Sequence, residues 1–314
     1  MRISTKRSSP TAAAYLERVN LAVDHIVSHL REPVRLNRLA KIAMLSPFHF
    51  HRVFQAVIGE TPADFAKRLR LEKSIGLMAH ARKSSLTAIA FSCGFASSSD
   101  FSRSFKQRYG VAPRAFDVDA WRAEHGESLG AAQSQFVNPH PHLAKLPSRA
   151  NPDAFKVRIR DLPARTVAYI RVDKPYQGEG VVAAMHRLMD WAGQHGLADS
   201  QWLGYQWDNP EITALEDCRY HVAVEIPVAR NKSSFTPKGE IGRYRFPAMT
   251  VAQIEMRGDI NLEIRALQWL YGVWLPRSGY VPDDQPGFEA WIGKPFAHGM
   301  THFEIYLQLP IRRN

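Results

Sequence analysis

FHFHRVFQAVIGETPADF, residues 48–65, carries a skeleton that the chain writes twice. Phe50-x-Arg52-x-Phe54, Gly59, Pro62 and Phe65 return as Phe101-x-Arg103-x-Phe105, Gly110, Pro113 and Phe116, each 51 positions later. Upstream the match continues with one residue inserted: Leu36, Ala40, Ala43 and Leu45 answer to Leu86, Ala90, Cys93 and Phe95 at an offset of 50. Each copy reads as a short helix (LNRLAKIA; LTAIAFSC), a tight connection and a second helix. In the first copy Phe50, Val53, Phe54 and Val57 keep the i, i+3, i+4, i+7 spacing of one buried face. This is the grammar of a helix-turn-helix.

Local signals place the second helices. Ser46-Pro47 offers an N-cap followed by Pro at the first helical position, and Ser97-x-x-Asp100 has capping-box spacing. Gly59 and Gly110 stand where a helix needs a left-handed stop, and Thr61-Pro62-x-Asp64 opens a further helix to about His80 that joins the two units. Cys93 answers to Ala43 and reads as a small core residue.

If Phe50, Val53 and Phe54 face inward, a rotation of about 100° per residue turns Phe48, His51, Arg52 and Gln55 outward, and Ser99, Ser102, Arg103 and Lys106 in the second copy. Arginine can fork onto a guanine edge, Gln, Ser and His offer donors and acceptors to bases or phosphate, and Phe48 suits a thymine methyl. Two such helices about 34 Å apart would enter successive major grooves on one face of a duplex. Charge agrees with this: residues 1–120 hold 19 Lys and Arg against 9 Asp and Glu, while 121–314 hold 22 against 21. The net +11 is thus concentrated in the half that carries the repeat, as expected of a nucleic-acid binder beside a neutral partner domain.

Length and composition set the frame. A chain of 314 residues suits two domains, and 45% apolar with 23% charged residues is ordinary globular composition. No apolar run approaches the roughly 20 residues of a membrane helix, and the N-terminus lacks a secretory apolar stretch, so no membrane partner and a cytoplasmic location are expected. Residues 1–14 read as a mobile basic arm. The two cysteines sit in no metal or disulfide spacing, and His140-x-His142 lacks a third ligand, so neither a metal nor a cofactor is expected.

With those residues in place, 15–120 resembles the DNA-binding domain of the AraC/XylS family of transcription regulators, through LNRLAKIAMLSPFHFHRVFQAVIGETPADFAKRLRLEKS and LTAIAFSCGFASSSDFSRSFKQRYGVAPRAF. The resemblance implies that Phe48, His51 and Arg52 lie on the first recognition helix and Ser98, Ser99, Ser102 and Arg103 on the second.

Residues 121–153 change character, with Pro139, Pro141, Pro147 and Pro152 among His, Ser and Ala; after a short helical stretch around Trp121–His125 this reads as linker. From 154 to 312 strands dominate. FKVRIRDLPARTVAYIRV, the helical VVAAMHRLMDWAGQHG, QWLGYQW and CRYHVAVEI are followed by GEIGRYRFPAMTVAQIEM, the helical NLEIRALQWLYGVWL, PGFEAWIG and HFEIYLQLP. Two βαββ halves in the same order predict an α+β domain with a curved sheet around a cleft. The fold class is therefore multidomain: an all-α double helix-turn-helix followed by this α+β domain. Alternation puts Tyr220, Val222, Val224 and Ile226 on one face, and pairs Glu289 with Trp291. A carboxylate beside aromatic rings suits a cation.

This half resembles the GyrI-like domain, a small-molecule-binding module of transcription regulators, through WDNPEITALEDCRYHVAVEIP (207–227), WLYGVWLPRSGYVPDDQPGFEAWIGKP (269–295) and FEIYLQLP. The resemblance implies that Glu289 sits in an effector cavity, with Tyr205, Trp207, Trp274 and Trp291 as walls. The expected function is a sequence-specific DNA-binding transcription regulator that senses an apolar molecule, cations included, with double-stranded DNA, the effector and RNA polymerase as partners. The alternative is a GyrI-like hydrolase of reactive small molecules tethered to DNA, with Glu289, or Glu304 with Tyr306, activating water. No nucleophile–base pair supports it, and the chain is not expected to be an enzyme.

Overall fold

The computed structural model describes residues 10–80, 84–134, 151–210, 212–227 and 239–313. Residues 1–9 of the basic arm and 135–150 of the linker, with His140 and His142, lie outside the described residues. The chain forms two compact units, one of residues 1–78, 82–116 and 236–242, the other of 79–81, 117–235 and 243–314.

In the first unit α1 (Pro10–Ser28) precedes α2 (Leu36–Ile42) and α3 (Pro47–Ile58); α4 (Pro62–His80) leads to α5 (Leu86–Ser92) and α6 (Ser98–Tyr109). The caps form as the sequence predicts. Ser46 and Ser97 accept hydrogen bonds from the backbone N–H groups of His49 and Asp100 at 3.3 and 3.1 Å, and α3 and α6 stop at left-handed Gly59 and Gly110. Duplicated sequence makes duplicated cores. Phe54 meets Phe65 edge-on at 5.7 Å, and Phe105 meets Phe116 edge-on at 5.0 Å. Phe50, Phe54, Phe101 and Phe105 are fully buried, each contributing roughly 1.5–3 kcal/mol by leaving water.

Polar contacts then tie the two helix-turn-helix units together. The Arg70 guanidinium on α4 donates to the carbonyls of Leu30 and Glu32 at 2.8 and 2.6 Å. Gly94, in the turn of the second unit, lies so close to this segment that a Cβ there would stand 2.6 Å from the Arg31 Cα. Arg68 on α4 bonds Glu60 and Glu72, and Arg108 at the end of α6 reaches the same Glu72 at 3.6 Å.

The second unit opens with α7 (Val118–Ser134), so helix occupies the first part of the stretch read as linker. The indole of Trp121 donates to the Ile212 carbonyl at 3.1 Å, a long-range contact that periodicity does not reveal. Two halves follow, each ββαββ where βαββ was expected, because the stretch before each helix folds as two strands, and the second half adds the short strand β7: β1 (Val157–Leu162), β2 (Arg165–Asp173), α8 (Gly180–Gln194), β3 (Trp202–Gln206) and β4 (Arg219–Ile226); then β5 (Ile241–Phe246), β6 (Met249–Gly258), α9 (Ile260–Trp269), a π-helical turn (Leu270–Trp274), α10 (Leu275–Ser278), β7 (Tyr280–Pro282), β8 (Gly287–Trp291) and β9 (Phe303–Arg313).

Among the described residues one sheet runs β1-β6-β9-β8-β3-β4-β2-β5, with β7 beside β9. The order reads the same from either end when the halves are exchanged: β1 answers to β5, β6 to β2, β9 to β4 and β8 to β3. The halves meet at the antiparallel β3–β8 seam, where Gly204 faces Glu289. Each half therefore begins with a strand given to the other half's side of the sheet, and the hydrogen-bonded ladder makes the two halves one body.

Candidate nucleic-acid interface and ligand site

On α3, Phe48 is 73% exposed, Arg52 and Gln55 are exposed, and His51 is half-buried. The Arg52 guanidinium lies 5.7 Å from the Phe48 ring centroid, an arrangement that stiffens a long cation at little cost. On α6, Ser99, Arg103 and Lys106 are exposed, and Ser98 and Ser102 are half-buried. Arg103 stands 3.9 Å from Asp100 with both side chains in solvent, a pairing worth little. The nine residues singled out from the sequence thus all reach the surface on the second helices of their units.

Glu289 on β8 and Trp291 project from one face of the sheet, opposite to Phe288 and Ala290, which belong to the buried cluster on the other. Across the seam, β4 lifts Tyr220 over Gly204, and its phenol donates a short hydrogen bond to the Glu289 carboxylate. A side chain at position 204 would occupy this space: a Cβ would overlap the Tyr220 hydroxyl and stand 2.8 Å from Glu289 Oε2. From the helical side α9 contributes Glu263, a buried carboxyl within reach of the Glu289 charge. Tyr176 and Gln206 exchange hydrogen bonds at 3.1–3.2 Å nearby.

Burial, followed by the Glu289 charge, holds the Glu263 carboxyl well above the usual carboxylate range. Burial also raises Glu289, while hydrogen bonds from Tyr220 and Glu263 pull it back. Burial, reinforced by Glu289, pushes the Tyr220 phenol well up, so it stays a donor. The group joins a phenolic donor to one carboxyl and sets a second carboxyl, raised by burial, in its field. Glu289 and Tyr220 are half-buried, and Glu263 is buried at 7% exposure.

The residues expected to wall this site separate. Tyr205 and Trp207 lie with the buried cluster on the opposite face, because strand alternation turns Tyr205 away from its neighbour Gly204. There Tyr205 stacks on His221 at 4.6 Å, and burial together with Arg171 and Arg219 holds His221 well below its ordinary value, so it is neutral. Arg165 covers the Phe288 ring at 4.1 Å, its guanidinium lowered by burial to about 10. Trp291 is buried against Phe296 and Phe303 at 5.3 and 5.9 Å. Trp274 stacks on Tyr280 at 6.3 Å. For the hydrolytic alternative, Glu304 is engaged by Arg257 at 2.9 Å, and Tyr306, paired across the sheet with Ala290, faces away from Glu289.

Sequence reasoning missed Glu263, Gly204 and the role of Tyr220. One signal was available: Glu263 falls on the buried stripe that runs through Ala266 to Leu270, where α9 passes into the π-helical turn, and a carboxylate on an apolar stripe asks for a partner.

Comparison with known proteins divides the chain in the same way. Residues 39–117 match the helix-turn-helix domain, and residues 155–312 match the GyrI-like small molecule binding domain. A DNA gyrase inhibitor of Edwardsiella piscicida is 30% identical over 167 residues, 51% of this chain and 100% of that protein. A probable transcriptional regulator, LumQ of Photobacterium leiognathi, is 32% identical over 103 residues, and the transcriptional activator RhaS of Escherichia fergusonii is 38% identical over 97. The chain spans 41% of the length of the first regulator and 34% of the second. Among the described residues no helix is long and apolar enough to cross a membrane.

Proposed function

The chain belongs to the GyrI-like family and carries an AraC-type helix-turn-helix domain, and on that premise we propose that it is a sequence-specific DNA-binding transcription regulator whose second unit senses an apolar or cationic small molecule. The observation that carries the reading is the repeated ridge: capped helices α3 and α6 both expose an arginine at the equivalent position, Arg52 and Arg103. Phe48, His51, Arg52 and Gln55 then read one major-groove segment, and Ser98, Ser99, Ser102, Arg103 and Lys106 contact the next, base edges giving selectivity and phosphates giving affinity. In the second unit Glu289 supplies the charge that receives a cationic effector, with the Tyr220 ring beside it. Tyr205 and Trp207 support the sheet from behind.

DNA and the effector are the direct partners, and RNA polymerase is the indirect one through which a bound regulator changes transcription. The effector acts by preferring one of two states of the protein, since only a differential affinity shifts an equilibrium. A selection of bound sequences from random DNA, followed by fluorescence anisotropy with Arg52→Ala, tests the DNA reading. Arg52→Ala is expected to cost about 1–3 kcal/mol at one base pair of the selected site and little on random DNA. Equal loss on both would make Arg52 a phosphate contact and remove the specificity argument.

A further inference from the structure

At one edge of the sheet β6 outruns its neighbour. β1 accompanies it only as far as the pair Val157–Ile254, while β6 continues to Gly258 with β9 on its other side. Before that last pair the chain turns away through Ala154, a non-glycine residue in the left-handed region at φ 54°. The bend is held firmly. Asn151 donates its amide to the Phe155 carbonyl at 2.9 Å and accepts the Phe155 N–H at 2.8 Å, and Asp153 takes two hydrogen bonds from the Arg265 guanidinium at 2.9 and 3.0 Å. The notch between bend and strand is a cavity of about 340 Å³, within the range that takes a small molecule.

Its lining comes from both faces of the sheet. Arg158 and Gln253 are direct cross-strand neighbours on the face of Val251, with Cβ atoms about 5 Å apart. Met256 leaves the opposite face, where Leu262 of α9 and the Phe155 ring, resting on Trp269 at 5.7 Å, close the apolar end. Gln253 is 8% exposed; its carbonyl accepts from the Gln308 amide at 3.0 Å, and no group among the described residues accepts from its own amide. Reversing both amides would bury the Gln308 N–H groups without partners in place of its carbonyl, and an orphaned donor is the costlier of the two. Charge is one-sided as well. Asp153 is taken by Arg265, and Glu255 by Arg257 at 3.2 Å, which Glu304 shares at 2.9 Å. Lys156 and Arg158 are exposed and have no ion-pair partner among the described residues. Four cations against three acids leave one net positive charge.

We propose that this notch is a second ligand site of the second unit, built for a small aryl monocarboxylate. Arg158, Lys156 and the Gln253 amide receive the carboxylate, a charge-assisted pairing, and the flat apolar body passes beside β6 onto Phe155, Met256 and Leu262. A cation would meet the net positive charge, and a neutral arene would cover the Gln253 donors without satisfying them. The notch is separate from Glu289, which lies on β8 with β9 between, and it does not depend on the effector reading above.

The test titrates the full chain by calorimetry with 2-naphthoate, with 2-naphthylmethylammonium, which has the same body and the opposite charge, and with acetate, which has the same head and no body. 2-Naphthoate is expected to bind, and the other two at least about tenfold more weakly. Arg158→Glu should weaken 2-naphthoate at least about tenfold, while Arg160→Glu, the next cation on the same face of β1 and outside the cavity, should change it by less than about threefold. Both positions are exposed, and an unchanged midpoint of tryptophan fluorescence on unfolding verifies the fold of each variant. No binding of 2-naphthoate at ~1 mM would overturn the proposal. So would equal affinity for the ammonium ion or for acetate, the second meaning an adventitious ion only. Binding that survives Arg158→Glu, or that Arg160→Glu weakens as much, would place the anion elsewhere and overturn it too.

Discussion

Replacing Gly204 by alanine adds one methyl group at the place where the two halves of the sheet meet, and the structure sets how much that costs. The new Cβ would overlap the Tyr220 hydroxyl and approach Glu289 Oε2 to 2.8 Å. The backbone there is ordinary strand, so no strain is relieved, and β3 is held by ladders on both sides. Tyr220 must swing away. Overpacking of this kind costs ~1–3 kcal/mol, and the hydrogen bond to a charged acceptor that is lost with it ~1.5–3 kcal/mol. Because Tyr220 is half-buried and can turn partly to water, the combined loss is expected near ~3 kcal/mol, or roughly 6–12 °C in Tm for a domain of this size. All seven tryptophans lie beyond residue 120, so their fluorescence during denaturant unfolding of the whole chain reports the second unit alone. Gly193→Ala is the control. It sits exposed in α8 with open space around its Cβ position, and should gain ~0.5–1 kcal/mol from helix propensity. A Gly204→Ala protein whose fluorescence midpoint matches wild type to within ~0.5 kcal/mol would refute the account of why a glycine stands opposite Glu289.

The remaining expectations concern charge. Asp208, its side chain wholly enclosed, takes two hydrogen bonds from the Arg219 guanidinium and one from the Arg219 backbone; Asp208→Ala removes the carboxylate that balances this buried guanidinium and should cost ~3–5 kcal/mol in the same unfolding assay, whereas a loss below ~1 kcal/mol would mean that solvent reaches the pair. Glu263 has a folded-state pKa above its unfolded one, so its contribution to stability is fully present below the unfolded value near 4.5 and is lost as pH rises through the raised one. Wild type should therefore lose stability relative to Glu263→Gln as pH is raised from the acid side through neutrality, and parallel curves would show that Glu263 titrates alike in the folded and unfolded chain. Specific binding by the first unit should fall steeply with added salt, the slope of log K against log salt shrinking by about one when an arginine that contacts phosphate is removed.

Most of the first unit was legible because its information is local. A capping serine, an apolar face at helical spacing and a terminal glycine are each settled within one turn of chain, so reading LSPFHFHRVFQAVIG twice gave two helices, their ends and their exposed faces. What the repeat did not reveal is how Arg70 and Gly94 lock one unit to the other, since nothing local marks a guanidinium that bonds carbonyls some 40 residues earlier. Alternation on β8 likewise paired Glu289 with Trp291 correctly, as a period of two within one strand. Tyr205 was grouped with them from resemblance alone, and one residue of register on β3 turns it to the opposite face.

The sequence by itself determined two helix-turn-helix units, two halves of the sheet domain and the faces of β4, β8 and β9, because these follow from spacing along the chain. Only the tertiary structure decided that β3 and β8 run side by side at the seam, so that Tyr220, Glu263 and Glu289, drawn from a strand, a helix and a strand, close on one another above a glycine. Strand pairing between distant segments is chosen by the burial of the whole sheet and not by any local pattern, and the hydrogen bond from Tyr220 to Glu289 exists only once that choice has been made.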